Sequence, residues 1–298
     1  MAGGSTGHEG RLGIESAAEG YVSRVSVAAL VRACHPGPTV AVTLLAVLLA
    51  LGADLGAAAV VLLGLAVLSG QLVIGWVNDV LDAGRDRQVG REDKPVAVGA
   101  VAGRTVLTAA SVALAASLGL SAALGWRAGL CHVVLVVGSG LAYDLGVKAT
   151  AWSWLPYAVA FGSLPAVPTL AQDPPAPPAW WAVAAGAALG VGAHLVNVLP
   201  DLEDDAATGV RGLPHRLGAR FSQVGAAALL LTASLALVLG PGSDGRPGWA
   251  PAALVVSVLL AGGVAVTRGR MPFRLAVLMA LVDVVLLTTA ANQAGTGR

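Results

Sequence analysis

Nine apolar stretches, near 38–53, 56–77, 105–124, 129–143, 153–170, 179–199, 221–240, 250–266 and 274–292, alternate with short polar connections along the chain. A helix needs roughly 20 residues to cross hydrocarbon, and most of these runs approach that length. The pattern predicts an all-α polytopic membrane protein of about nine transmembrane helices. Residues 171–179 are Pro-rich and predict an extended spacer. Residues 21–35 predict an interfacial helix that leads into the first run. Residues 1–20 are Gly/Ser-rich, carry Glu9, Glu15 and Glu19, and lack the basic segment and apolar core of a signal peptide. They read as a disordered cytoplasmic tail, with 21–298 as a single membrane domain.

Composition and charge sharpen this picture. Hydrophobic residues make up 56% of the chain and charged residues only 12%, with a mean hydropathy of +0.77. Much of the apolar content is Ala, Gly and Val, which lets helix backbones approach closely in lipid. With the N-terminus inside and nine spans, only Arg127, Arg246 and Arg298 of the 18 basic residues fall outside. That bias obeys the positive-inside rule and predicts a cytoplasmic N-terminus; the Ala/Gly/Val/Arg-rich composition, like that of a high-GC bacterial genome, favours a plasma membrane. Net charge is near zero, and no basic stretch interleaved with aromatics points to nucleic acid. Cys34 and Cys131 read as buried free thiols.

The polar residues carry the chemistry. Asn78, Asp82 and Asp86 repeat at a spacing of four, and so do Asn197, Asp201 and Asp205. Residues four apart on a helix drift only about 40°, so each set lines one face. Asp79 adds a further carboxylate to the first set. Both sets close runs that travel from outside to inside, so they meet at one membrane face. Two such faces make a cage of hard oxygen ligands, which suits Mg2+ bound through carboxylates, water and substrate phosphates. A run of four helices separates the motifs, which suggests two four-helix units and a ninth helix.

Nine of the 17 acidic residues fall within 79–93 and 201–205, where they repel one another unless cations neutralise them. Arg85, Arg87, Arg91 and Lys94 follow the first motif and Arg211 and Arg216 follow the second, as candidates to hold phosphate oxygens. Tyr143 and Lys148 stand together between the fourth and fifth runs. His194 lies one helical step from Asn197, near the motif face, and could contact donor or acceptor. Asp283 sits midway along the ninth run, where an unpaired charge costs at least ~2.5 kcal/mol.

These residues resemble the UbiA superfamily of intramembrane prenyltransferases. Asn78, Asp79, Asp82 and Asp86 match its first aspartate element, with Arg91-Glu92-Asp93-Lys94-Pro95 behind it. Asn197, Asp201 and Asp205 match the second, and Tyr143 with Lys148 matches the element between helices four and five. The resemblance implies a bundle around a central cavity, Mg2+ on the aspartates, and a prenyl diphosphate donor bound in the bilayer. It also implies a small-molecule acceptor, expected to be aromatic or a quinone precursor. The implied roles are metal binding for Asp79, Asp82, Asp86, Asp201 and Asp205, and catalysis for Tyr143, Lys148, Arg91 and Lys94. Substrate contact falls to Asn78, Asn197, Arg87, His194 and Arg211. Any aromatic wall for a cation must draw on Trp76, Trp152, Trp154 or Tyr157.

Two rivals stand beside transfer. A terpene cyclase of the same fold would use an internal double bond as acceptor. A cation-coupled transporter would need ionisable residues near the midplane, and only Asp283 offers an acidic one there.

Overall fold

A computed structural model describes residues 27–241 and 246–296. The tail assigned to residues 1–20 lies outside the described residues, as do the first residues of the interfacial segment. Among the described residues there are helices and turns and no strand.

The chain runs through α1 (Val27–Ala33), α2 (Pro36–Gly52), α3 (Ala57–Gln88) and α4 (Gly103–Ala123). Next come α5 (Trp126–Asp144), α6 (Leu155–Ser163), α7 (Ala166–Leu170), α8 (Trp180–Val198) and α9 (Leu202–Ala207). The last four are α10 (Leu213–Leu217), α11 (Ala219–Leu239), α12 (Ala250–Val266) and α13 (Met271–Thr296). Every predicted apolar run falls on helix. The first continues from α1, which meets α2 at a 64° bend. The fifth is split into α6 and α7 around Leu164-Pro165, since proline removes a backbone donor. Among the described residues, five helices are long and apolar enough to cross a membrane, or six if α1 and α2 form one span.

Neighbouring helices close into a ring. Contacts run α2–α3–α5–α6–α8–α11–α12–α13, and α13 packs back onto α2, while α4 covers the outside of α3. Three cores hold the ring together. One joins α8, α11, α12 and α13 around Leu230 and Met279. A second joins α2, α3, α5 and α7 around Leu63 and Val167. The third seats α1 and the 96–101 segment on α3 and α4. Exposed Val112, Leu118, Val255 and Leu259 cover the outer surface, as expected where lipid replaces water. Trp126, Trp180 and Trp249 stand exposed where α5, α8 and α12 begin, the placement of an interfacial aromatic belt.

Small residues set the closest approach in the ring. A Cβ on Gly186 or Gly190 of α8 would strike the backbone carbonyls of Phe161 and Tyr157 on α6. Glycine at these two positions lets α6 lie directly on α8, which aims Tyr157 and Phe161 inward. Inside α5, residues Cys131–Val137 adopt a π-helix, a bulge that inserts one extra residue into an α-helix. Cys34 and Cys131 are buried free thiols. Asp283, left without a named partner by the sequence, accepts a 2.7 Å hydrogen bond from Ser234 of α11.

Candidate active site

The ring encloses a cavity of about 560 Å3. Its deeper wall is apolar, with Leu45, Ile74, Val136, Phe161, Leu164, Leu189, Ala276 and Ala280. Its mouth is lined by Asp82, Asp86, Asp201, Asp205, Asn78 and Asn197 together with Arg85, Arg91, Lys94 and Lys148. The two Asn/Asp series, 119 positions apart in the chain, therefore face one space.

Local structure explains the convergence. The first series rides on the last three turns of α3, which stays regular to Gln88. The second bends at Pro200: α8 stops at Val198, a 3-10 turn covers Leu199–Asp201, and α9 carries Asp205. After α5, Gly146 takes a φ of 142°, a region that favours glycine. That turn folds the Val147–Ala149 segment back under the bundle and delivers Lys148 to α3.

The protein's own cations hold both carboxylate clusters. Lys148 is buried and its Nζ lies 2.7 Å from each oxygen of Asp82, while Arg85 pairs with the same carboxylate. Arg91 Nη1 donates to Asp201 at 2.8 Å while its Nε and Nη2 grip Asp93 at 2.9 and 3.0 Å. Those bonds hold the Asp93 carboxyl down at about 2 and raise the Arg91 guanidinium above its ordinary value. Arg91 thus links the loop after α3 to the second motif. Asn78 Nδ2 donates to Asp144 at 2.8 Å. Lys94 Nζ lies 3.2 Å from His35 Nε2 at the α1–α2 bend.

Among the described residues no group of three acidic, His or Cys side chains is close enough to hold a metal ion as it stands. The donor set still fits a hard divalent ion. Its ligands are carboxylate oxygens, and buried Asp86 Oδ2 and Asp144 Oδ2 have no hydrogen-bond partner. Four carboxylates at one mouth also match the ligand chemistry of Mg2+.

Four expected site residues sit elsewhere. Asp79 does not line the cavity: one position past Asn78 turns it about 100° away. Its Oδ2 accepts the Val96 amide at 3.2 Å, and Lys94 lies 3.7 Å from Oδ1. It ties down the following loop and adds no ligand at the mouth. Arg87 is exposed and off the cavity, because two positions beyond Arg85 is the opposite helical face. Arg211 is exposed in the loop before α10. His194 is fully buried behind the wall. Its Nε2 is 3.0 Å from Ser153 Oγ, which also accepts the Leu213 amide. The His194 ring packs against Tyr157 and Tyr143 at 4.7 and 5.7 Å. It props these rings and meets no ligand space.

Tyr143 does line the cavity, edge-on to Tyr157 at 5.2 Å. Of the aromatic candidates only Tyr157 is there, joined by Phe161 and Phe273. Trp76 instead donates its indole N–H to Leu30 of α1 at 2.8 Å. The sequence reading named Arg85 among the basic residues behind the first motif, and missed Asp144 and His35. Asp144 was signalled by its place beside Tyr143. His35 had only the Pro36–Pro38 helix start after it as a signal.

The profile of the UbiA prenyltransferase family matches residues 39–288. No curated protein matches the chain. Solved structures share the fold at low identity. A UbiA homolog from Aeropyrum pernix K1 is 19% identical, with a TM-score of 0.70 over 84% of this chain and 96% of its own. A UbiA homolog from Archaeoglobus fulgidus, solved bound to GPP and Mg2+, is 13% identical with a TM-score of 0.68 over 90% and 99%. A digeranylgeranylglyceryl phosphate synthase is 13% identical with a TM-score of 0.62 over 91% and 99%.

Proposed function

Because the chain belongs to the UbiA prenyltransferase family, we propose that it moves a prenyl group from a prenyl diphosphate to a small acceptor within the plasma membrane, in a Mg2+-dependent reaction. One observation carries this reading: a charged mouth with two aspartate clusters opens onto an apolar cavity in the same ring of helices. A diphosphate needs the first environment and its hydrocarbon tail needs the second. The solved Archaeoglobus fulgidus homologs bound to GPP or DMAPP with Mg2+ support the pairing of donor and metal.

Asp82 and Asp86 on α3, with Asp201 and Asp205 on the α8–α9 bend, are the proposed metal ligands. When bound there, Mg2+ supplies charge neutralisation for the diphosphate. Arg91 and Lys94 reach the same mouth and are placed to hold phosphate oxygens. Lys148 and Tyr143 stand where charge grows on the leaving diphosphate, so they favour departure electrostatically. The allylic fragment left behind is enclosed by Tyr143, Tyr157 and Phe161, whose ring faces attract positive charge, and the surrounding helices exclude water. Asn78 and Asn197 are donor-contacting amides. Asp144, anchored by Asn78, is the carboxyl best placed to take the acceptor's proton.

The acceptor proposed is aromatic or a quinone precursor, since a flat ring fits beside Tyr143 and Tyr157. The charge bias of the loops supports a mouth on the cytoplasmic side. The test incubates purified protein with Mg2+, prenyl diphosphates of several lengths and an acceptor panel, with products read by mass spectrometry. Prenylated acceptor is the expected product. A cyclic hydrocarbon or alcohol formed without any acceptor identifies a cyclase, and no release of diphosphate from any donor overturns the reading.

A further inference from the structure

A second, smaller chamber of about 40 Å3 adjoins the main cavity and shares Leu45, Phe161, Leu164 and Leu189 with it. On each helix the residues that belong to this chamber alone lie further from the aspartate mouth. On α8 they are Gly186, Ala185 and Ala182, eleven or more positions before Asn197, or about 16 Å and more by helical rise. On α13 the main cavity is lined from Phe273, near the mouth, to Leu281, and the chamber takes over at Asp283 and Val284, the next positions along the helix. The chamber is therefore the deep end of the apolar arm.

That end is not apolar. Asp283 is 2% exposed and lines the chamber. One of its oxygens accepts from Ser234 at 2.7 Å, and its Oδ2 is buried with no hydrogen-bond partner. A chamber of this size has room for a water molecule. A hydrocarbon terminus entering it would instead leave Oδ2 facing methyl groups, which is unfavourable for any buried acceptor.

We propose that Asp283, set by Ser234, is a polar end-stop that fixes the longest donor tail this enzyme accepts. The inference rests on the prenyl-donor reading of the main cavity. Tails that end among Leu45, Phe161 and Leu189 keep apolar neighbours throughout, whereas one isoprene unit more reaches the carboxyl. Asp283 touches no reacting atom, so it acts on selection of the donor.

The test measures kcat/KM for geranyl, farnesyl and geranylgeranyl diphosphates. In Asp283→Ala the preference should move toward longer donors by about tenfold, the size of one buried polar group left unpaired. Leu237→Ala enlarges the same chamber and keeps the carboxyl, so its length preference should stay within about twofold of wild type. An unchanged preference in active Asp283→Ala overturns the proposal, and so does an equal shift in Leu237→Ala, which would make room the limit. Should Asp283→Ala fail to fold, the wild type still decides through donors carrying a hydroxyl on the terminal unit. The hydroxyl should raise kcat/KM at the first length that is otherwise rejected, and no gain at any length refutes the end-stop. Failure of every donor to release diphosphate would instead sink the prenyl-donor reading itself.

Discussion

Replacing Lys148 with Ala separates catalysis from architecture. The side chain is 9% exposed and its ammonium lies 2.7 Å from both oxygens of Asp82. Its loss leaves Arg85 as the remaining partner of that carboxylate. Breaking a fully buried pair costs about 3–5 kcal/mol. Here a second cation remains and Asp82 is 16% exposed, so about 1–3 kcal/mol of stability is the expected loss. The protein should insert and fold. The catalytic effect is larger in kind: loss of one donor to a developing anion slows kcat about 10²-fold, or about 2.7 kcal/mol. Because that interaction grows as the diphosphate leaves, kcat should fall far more than KM rises. Diphosphate release under saturating donor and Mg2+, with a parallel Mg2+ titration, measures both. Lys148→Arg should retain part of the rate and Lys148→Gln little. If Lys148→Gln keeps wild-type kcat, the residue only anchors its loop, and the cationic role passes to Arg91 and Lys94.

Other expectations concern metal, topology and pH. Asp82→Ala and Asp201→Ala should each abolish turnover while membrane insertion persists; full activity in either, or wild-type activity in excess EDTA, refutes the two clamps. In a background lacking Cys34 and Cys131, a cysteine at position 174 should react with an impermeant maleimide in intact cells and one at exposed position 211 should not; the reverse pattern places the mouth outside. Asp93 has its carboxyl held at about 2 against an ordinary 3.8. Its pairing with Arg91 therefore stabilises fully above 3.8 and is lost as pH falls through about 2. The difference in Tm between wild type and Asp93→Asn should be small for so exposed a pair and constant from pH 7 to 4. A difference that vanishes by pH 5 contradicts this pairing.

Local periodicity made the scaffold legible. Apolar runs marked the helices, and the four-residue spacing of Asn78, Asp82 and Asp86 marked a face that does line the cavity. The same helical geometry, applied one position at a time, sets Asp79 and Arg87 aside and selects Arg85. What the sequence could not show depends on distant pairing. Lys148 meets Asp82 across 66 positions and Arg91 meets Asp201 across 110, and neither follows from any local rule. His194 misled for a related reason. A 60° offset from Asn197 is enough to bury a ring behind the wall when Tyr143 and Tyr157 already occupy the front. The partner of Asp283 was invisible too, since Ser234 is an ordinary serine on a helix of Ala and Leu.

The π-helix at Cys131–Val137 gives residue count a meaning of its own. An extra residue in that stretch turns everything after it by about 100° relative to a plain α-helix, and Gly140, Tyr143 and Asp144 face the cavity only in that register. Chain length between the outer loop and Tyr143 is thus as much part of the site as the tyrosine itself. Deleting Val134 alone would keep every cavity-lining side chain, restore a regular helix, and rotate the tyrosine and its neighbouring acid out of the cavity they line.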